Sequence, residues 1–159
     1  MTTSATSVPE GYHSITPYLA VDDAARAIAF YKEAFGATEV MRMPGPSGKV
    51  GHAEIEIGGS RIMLADEYPD MGFRSPRAYG GSPVGLHLYV EDVDAVASQA
   101  VAAGATELRP VKDQFYGDRT GTFQDPFGHV WHLATRNEDI PPDELKRRAD
   151  AAMEQQARG

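Results

Sequence analysis

The chain carries a partial copy of itself, and no other feature constrains its fold as tightly. Residues 15–40 read ITPYLAVDDAARAIAFYKEAFGATEV, and residues 84–108 read VGLHLYVEDVDAVASQAVAAGATEL. Each copy runs an alternating strand into Val-acid-Asp, then an amphipathic helix, then Gly-Ala-Thr-Glu and a second strand. Val21 and Val90 are 69 residues apart, as are Gly59 and Gly128; Gly36 and Gly104 are 68 apart. A period this long, present twice, is not the short multiple repeat of a solenoid. It is a duplicated half-domain.

Local patterns give each half the plan strand–helix–strand–strand–strand. In the first half, strands are expected at residues 14–21, 38–43, 49–57 and 61–65. Asp22 or Asp23 caps the intervening helix by accepting from free backbone N–H groups. Ala24, Ala27, Ile28, Tyr31 and Phe35 form its apolar stripe, and Gly36 closes it in the left-handed conformation. In the second half, strands are expected at 84–90, 106–111, 119–124 and 129–135, with a helix capped by Asp92 and closed by Gly104. Residues 1–13 are small and polar and are expected to be a disordered tail. The ordered body is then 14–135: module one 14–66, a linker 67–83 and module two 84–135. The linker has no periodicity and is long enough to serve as a lid or a ligand-contacting loop. Pro141-Pro142-Asp143-Glu144 opens a helix within a C-terminal extension, 136–159.

At 159 residues with 42% hydrophobic content, the chain has the size and composition of one globular α+β domain. A net charge of −8 excludes nucleic acid as an expected partner. With no cysteine there is neither disulfide nor thiolate chemistry. No apolar run is long enough for a membrane span and no signal pattern is present, so a cytoplasmic location away from membranes is expected. Nucleophile-elbow, phosphate-loop and dinucleotide motifs are all missing.

One helix per half covers one face of a four-stranded sheet and leaves the other open, so the two halves together make a curved sheet around a cavity. Strand alternation sorts the residues between the faces. Leu19, Val21, Ala53, Ile55, Ile57, Ile62, Leu64, Leu86, Leu88, Val90, Trp131 and Leu133 go under the helices. Thr16, Tyr18, His52, Glu54, Arg61, Met63, Gly85, His87, Tyr89, Val130 and His132 face the cavity.

The motifs Val21-Asp22-Asp23, Phe30-Tyr31, Phe35-Gly36, Val90-Glu91-Asp92, Gly104-Ala105 and Asp125-Pro126-Phe127-Gly128-His129 make the chain resemble the vicinal oxygen chelate superfamily. That superfamily includes glyoxalase I, extradiol dioxygenases and bleomycin-resistance proteins. With Tyr116-Gly117-Asp118-Arg119 before the Asp-Pro turn, the chain is most similar to its bacterial glyoxalase/bleomycin-resistance-like branch. The resemblance implies one divalent ion on four cavity positions, which fall here on Thr16, Met63, Gly85 and His132. Only His132 is a good ligand, so the usual metal site is broken and no metal or cofactor is expected. A relocated set of His52, Glu54, His87 and His132 is the alternative. The expected function is metal-independent binding of a small molecule, aromatic or cationic, in the manner of drug-sequestering proteins. Its contacts are expected at Tyr18, His52, Glu54, Met63, His87, Tyr89, Tyr116, Arg119, Phe123 and His132, with Phe73 and Tyr79 closing over them. The resemblance also implies a homodimer. The alternative function is a glyoxalase-like lyase, isomerase or dioxygenase with a non-standard metal or a metal-free acid/base pair.

Overall fold

The duplication is realised as two four-stranded sheets. A computed structural model describes residues 2–159; Met1, the first residue of the expected tail, lies outside them. Module one comprises β1 (Tyr18–Val21), α1 (Ala24–Phe35), β2 (Thr38–Pro44), β3 (Val50–Ile57) and β4 (Ser60–Asp66). Module two comprises β5 (Gly85–Tyr89), α2 (Val93–Ala103), β6 (Thr106–Asp113), β7 (Asp118–Gln124) and β8 (Val130–Arg136). The sheet orders are β1-β4-β3-β2 and β5-β8-β7-β6. In each the first and last strands pair in parallel and the others antiparallel. β1 begins at Tyr18, later than the alternation suggests, with the Pro17 carbonyl still accepting from the Met63 amide of β4 at 2.9 Å. A third helix, α3 (Pro142–Arg158), ends the chain. Among the described residues no helix is long and apolar enough to cross a membrane.

The two modules start their helices by the same device. Asp23 accepts from the Arg26 amide at 3.2 Å, and Asp92 from the Ala95 amide at 3.1 Å. Each module's last strand adds a second cap. Asp66 Oδ1 accepts from the Ala24 amide at 2.8 Å, and Thr135 Oγ1 from the Val93 amide at 2.9 Å. These acceptors satisfy first-turn N–H groups that the helix cannot pair internally. Gly36, at φ 69°, closes α1 in the left-handed region as its position requires.

The core is one layer shared by both modules. Leu19, Val21, Ala53, Ile55, Ile57, Ile62, Leu64, Trp131 and Leu133 are all buried in it, as their alternation requires. α1 and α2 pack together, Phe35 meets Trp131 with ring centroids 4.6 Å apart, and Phe30 meets Phe127 at 6.2 Å. The modules therefore join through their helix-covered sides, and each sheet keeps its opposite face open.

At the centre of this junction is Asp125, 4% exposed. Its Oδ1 accepts from the amides of Phe127 (2.9 Å) and His129 (3.0 Å), forming the Asp-Pro-Phe-Gly turn. Its Oδ2 accepts from Trp131 Nε1 at 2.9 Å and from the Tyr31 hydroxyl of module one at 2.5 Å. Burial, then the Asp125 charge, pushes the Tyr31 phenol well above its ordinary range. The most distinctive motif of the sequence is thus a structural knot between the modules.

Candidate functional site

The open face of module two is a cavity of about 520 Å³, with residues from all four strands of the sheet in its wall. His87 comes from β5, Arg109, Pro110 and Lys112 from β6, Thr120, Gly121 and Thr122 from β7, and His132 from β8; Gln114 and Tyr116 come from the β6–β7 turn. Thr122 Oγ1 lies 3.0 Å from His132 Nδ1, and Gln114 Nε2 donates to Thr120 Oγ1 at 3.1 Å. The His132 ring sits where a side chain at position 85 would be. A Cβ on Gly85 would lie 2.6 Å from His132 Nε2, so this placement requires glycine. Burial, followed by the neighbouring His87 and Arg109, holds the His132 pKa below its ordinary range.

A bulge brings Arg109 and Lys112 to the same wall. Side chains three residues apart on a regular strand face opposite ways. The β6–β7 register shifts between Arg109 and Lys112, so Arg109 pairs with Thr122 and Lys112 with Thr120. Pro110, on an edge strand, lies inside that irregularity, where a residue without N–H is tolerated.

The open face of module one carries a hydrogen-bonded line of side chains. His52 Nε2 is 2.7 Å from Glu54 Oε2, and Tyr18 Oη is 2.7 Å from His52 Nδ1. A carboxylate only accepts, so Nε2 donates to Glu54, and in the neutral ring Nδ1 then accepts from Tyr18. Glu54 also accepts from the hydroxyl of Tyr12, which ends the N-terminal tail against this sheet. Burial raises the Tyr18 pKa above its ordinary value. Phe73 of the linker packs edge-on against Tyr18 at 5.4 Å.

Residues 11–133 match the Glyoxalase/Bleomycin resistance protein/Dioxygenase superfamily. The chain belongs to this superfamily. An uncharacterised protein of Mycobacterium tuberculosis is 46% identical over 149 residues, covering 92% of this chain and 85% of the relative. An uncharacterised Arabidopsis thaliana protein is 30% identical over 117 residues, covering 69% of this chain and 70% of its own. TioX from Micromonospora sp. ML1 superimposes with a TM-score of 0.61 at 25% identity, covering 81% of this chain and all (100%) of TioX. A Burkholderia phytofirmans superfamily enzyme superimposes with a TM-score of 0.60 at 21% identity, covering 75% of this chain and 94% of that one, which bears on the fold alone.

The superfamily's metal positions do not fit an ion here. Thr16, Met63 and Gly85 supply no strong ligand, and His132 shares its Nδ1 with Thr122. The relocated set does not converge, because His52 and Glu54 are on one sheet and His87 and His132 on the other. Among the described residues, no group of three or more His, Asp or Glu side chains could hold a metal ion.

The ten expected contact residues divide into three groups. Tyr18, His52, Glu54 and Met63 share the open face of module one. His87, Tyr116 and His132 line the module-two cavity, and Tyr89 packs at a tilt beside His87, ring centroids 4.8 Å apart, while donating to Asp118 Oδ2 at 3.1 Å. Arg119 and Phe123 lie elsewhere. Phe123 is 1% exposed in the core, and Arg119 is gripped by Asp94 of α2 and by Asp113. Neither lines the cavity; the side chains of β7 that do are Thr120 and Thr122. Phe73 does reach the site face, whereas Tyr79 is exposed in the linker. Arg109, Lys112, Gln114, Thr120 and Thr122 were missed. Pro110 was the available signal, marking a strand whose alternation would break.

Proposed function

We propose that the protein is a metal-independent small-molecule-binding member of this superfamily, cytoplasmic and dimeric, that retains its ligand in the module-two cavity. The observation that supports this reading is the cavity itself. Its volume of about 520 Å³ is that of a small-molecule site. Hydrogen-bonding groups from four strands converge in it, while Tyr116 and Pro110 give it apolar wall. The uncovered face of module one, with Tyr18, Met43 and Met63, suits a second copy that covers the cavity of its partner. Drug sequestration is one form of such binding: stoichiometric retention without turnover.

A thermal-shift screen of small molecules, followed by calorimetry on each hit, tests the reading. A one-to-one complex is expected that survives dialysis against EDTA and is weakened by His132→Ala and Thr122→Val. Binding that vanishes with EDTA and returns with a divalent metal would overturn metal independence.

The Tyr18–His52–Glu54 line favours a second reading, a metal-free proton-transfer enzyme. Glu54 orients the ring; Tyr18 would take a proton from the substrate as it passes its own to His52 Nδ1, leaving a substrate anion and an imidazolium held by Glu54, and the reverse relay would return the proton. Turnover abolished by Tyr18→Phe and by His52→Gln, with ligand affinity retained, would replace sequestration with catalysis.

A further inference from the structure

We infer that the ligand of the module-two cavity is a small organic anion, held at Arg109 and Lys112; this rests on the reading of that cavity as the ligand site. The chain has a net charge of −8, yet the cavity wall has the opposite sign. Arg109 and Lys112 contribute two permanent cations, His87 and His132 contribute two imidazoles, and no Asp or Glu lines the space.

The pairing of the cations strengthens the contrast. Arg119, on the neighbouring strand, is held by Asp94 and Asp113, and Arg42, Arg61, Arg77 and Arg136 each have a carboxylate within 3.1 Å. Among the described residues Arg109 and Lys112, like Arg26, Lys49, Arg74 and Arg158, form no ion pair. Asp113, next in sequence to Lys112, is turned to Arg119 instead. Both cations are thus left available on one wall, opposite the hydroxyls of Thr120 and Thr122. The groups that act electrostatically on His132 are His87 and Arg109, with no carboxylate among them.

A cationic site on an acidic protein selects by sign, because a cation approaching it meets like charges in partly excluded solvent. An anionic head group instead gains charge-assisted hydrogen bonds from a guanidinium and an ammonium, together with neutral hydroxyl donors. Tyr116 and Pro110 are then left for the organic body of the ligand. A cationic aromatic, the class suggested by net charge alone, matches the surface of the chain but not this cavity.

Three probes of the same ring and differing charge test the inference: benzoate, benzamide and benzamidinium, titrated into the full-length 15N-labelled chain. Benzoate is expected to shift the amides of Arg109, Lys112, Thr120 and Thr122 saturably and to bind at least about tenfold more tightly than benzamidinium. Rising salt and the variants Arg109→Gln and Lys112→Gln are expected to weaken it, with the remaining amide pattern unchanged. Benzamidinium or benzamide binding the same amides as tightly as benzoate would overturn the anion and leave the ligand site standing. Shifts at those amides by none of the three probes would overturn both.

Discussion

The Asp125 carboxylate explains why so specific a motif as Asp-Pro-Phe-Gly tells little about chemistry. It accepts four hydrogen bonds while buried, two from its own turn and two from Trp131 and Tyr31. Hydrogen bonds to a charged group contribute about 1.5–3 kcal/mol each, so Tyr31→Phe should lower unfolding free energy by about that amount in urea. Asp125→Asn should cost more, because one amide edge turns a donor toward groups that can only donate or need an acceptor. If Tyr31→Phe unfolds at the wild-type urea midpoint, the inter-module bond is not what joins the halves. At this scale the candidate site was legible wherever alternation was regular. Tyr18, His52, Glu54, Met63, His87 and His132 stand on the open faces because their strands obey a strict period of two. It was illegible where chemistry outvoted period. Arg119 and Phe123 look like contact residues, but β7 carries them on the side away from the cavity, Phe123 in the core and Arg119 against Asp94 and Asp113, and leaves two threonines to face the cavity.

Among the elements, β6 and α3 show where sequence reasoning ends. The strand–helix–strand–strand–strand order and both helix caps follow from repeats, apolar periodicity and turn residues, which are local. The bulge in β6 depends on how that strand meets β7, and that pairing is not written in β6 itself. α3 has no buried residue. It is in fact tied to the cavity turn: Arg148 bonds the Phe115 carbonyl at 3.3 Å and Glu138 at 2.6 Å, and Phe115 packs edge-on against Tyr116 at 5.2 Å. Glu144 holds this Arg in place. Hydrogen bonds from Arg147 and then Arg148 lower the Glu144 pKa to about 2 from its ordinary 4.5. A depressed carboxylate stabilises the fold above its unfolded pKa, and that contribution is lost as pH falls through the folded one. Carbon-13 NMR of the Glu144 carboxyl should therefore show a midpoint near 2. The double variant Arg147→Ala, Arg148→Ala should return it to the ordinary range and broaden the Tyr116 amide. An ordinary midpoint in the wild type would mean that α3 is not anchored in this way.

For the whole molecule, the unresolved demand is the pair of open faces. The modules bury their helix sides against each other, so a single chain brings no module-one residue into the module-two cavity. Tyr18 remains 47% exposed and Met43 48% on module one, and Tyr89 59% on module two. The duplication also gives the two faces matching positions: Tyr18 and His87 are 69 residues apart, as are Met63 and His132. Placing module one of a second copy over module two would set Tyr18 and the His52–Glu54 pair opposite the His87–His132 cavity. It would also enclose the ligand from both sides. The two-fold operation then closes two equivalent sites at once, with the same surfaces used by both chains. Sedimentation equilibrium at micromolar concentration should give a dimer. Met43→Glu, which charges the face without touching the cavity lining, should shift it to monomer and weaken ligand binding together. A wild-type chain that sediments as a monomer would remove the dimer. A monomeric Met43→Glu variant with full affinity would show instead that module two binds its ligand uncovered, and that the module-one line of Tyr18, His52 and Glu54 serves something else.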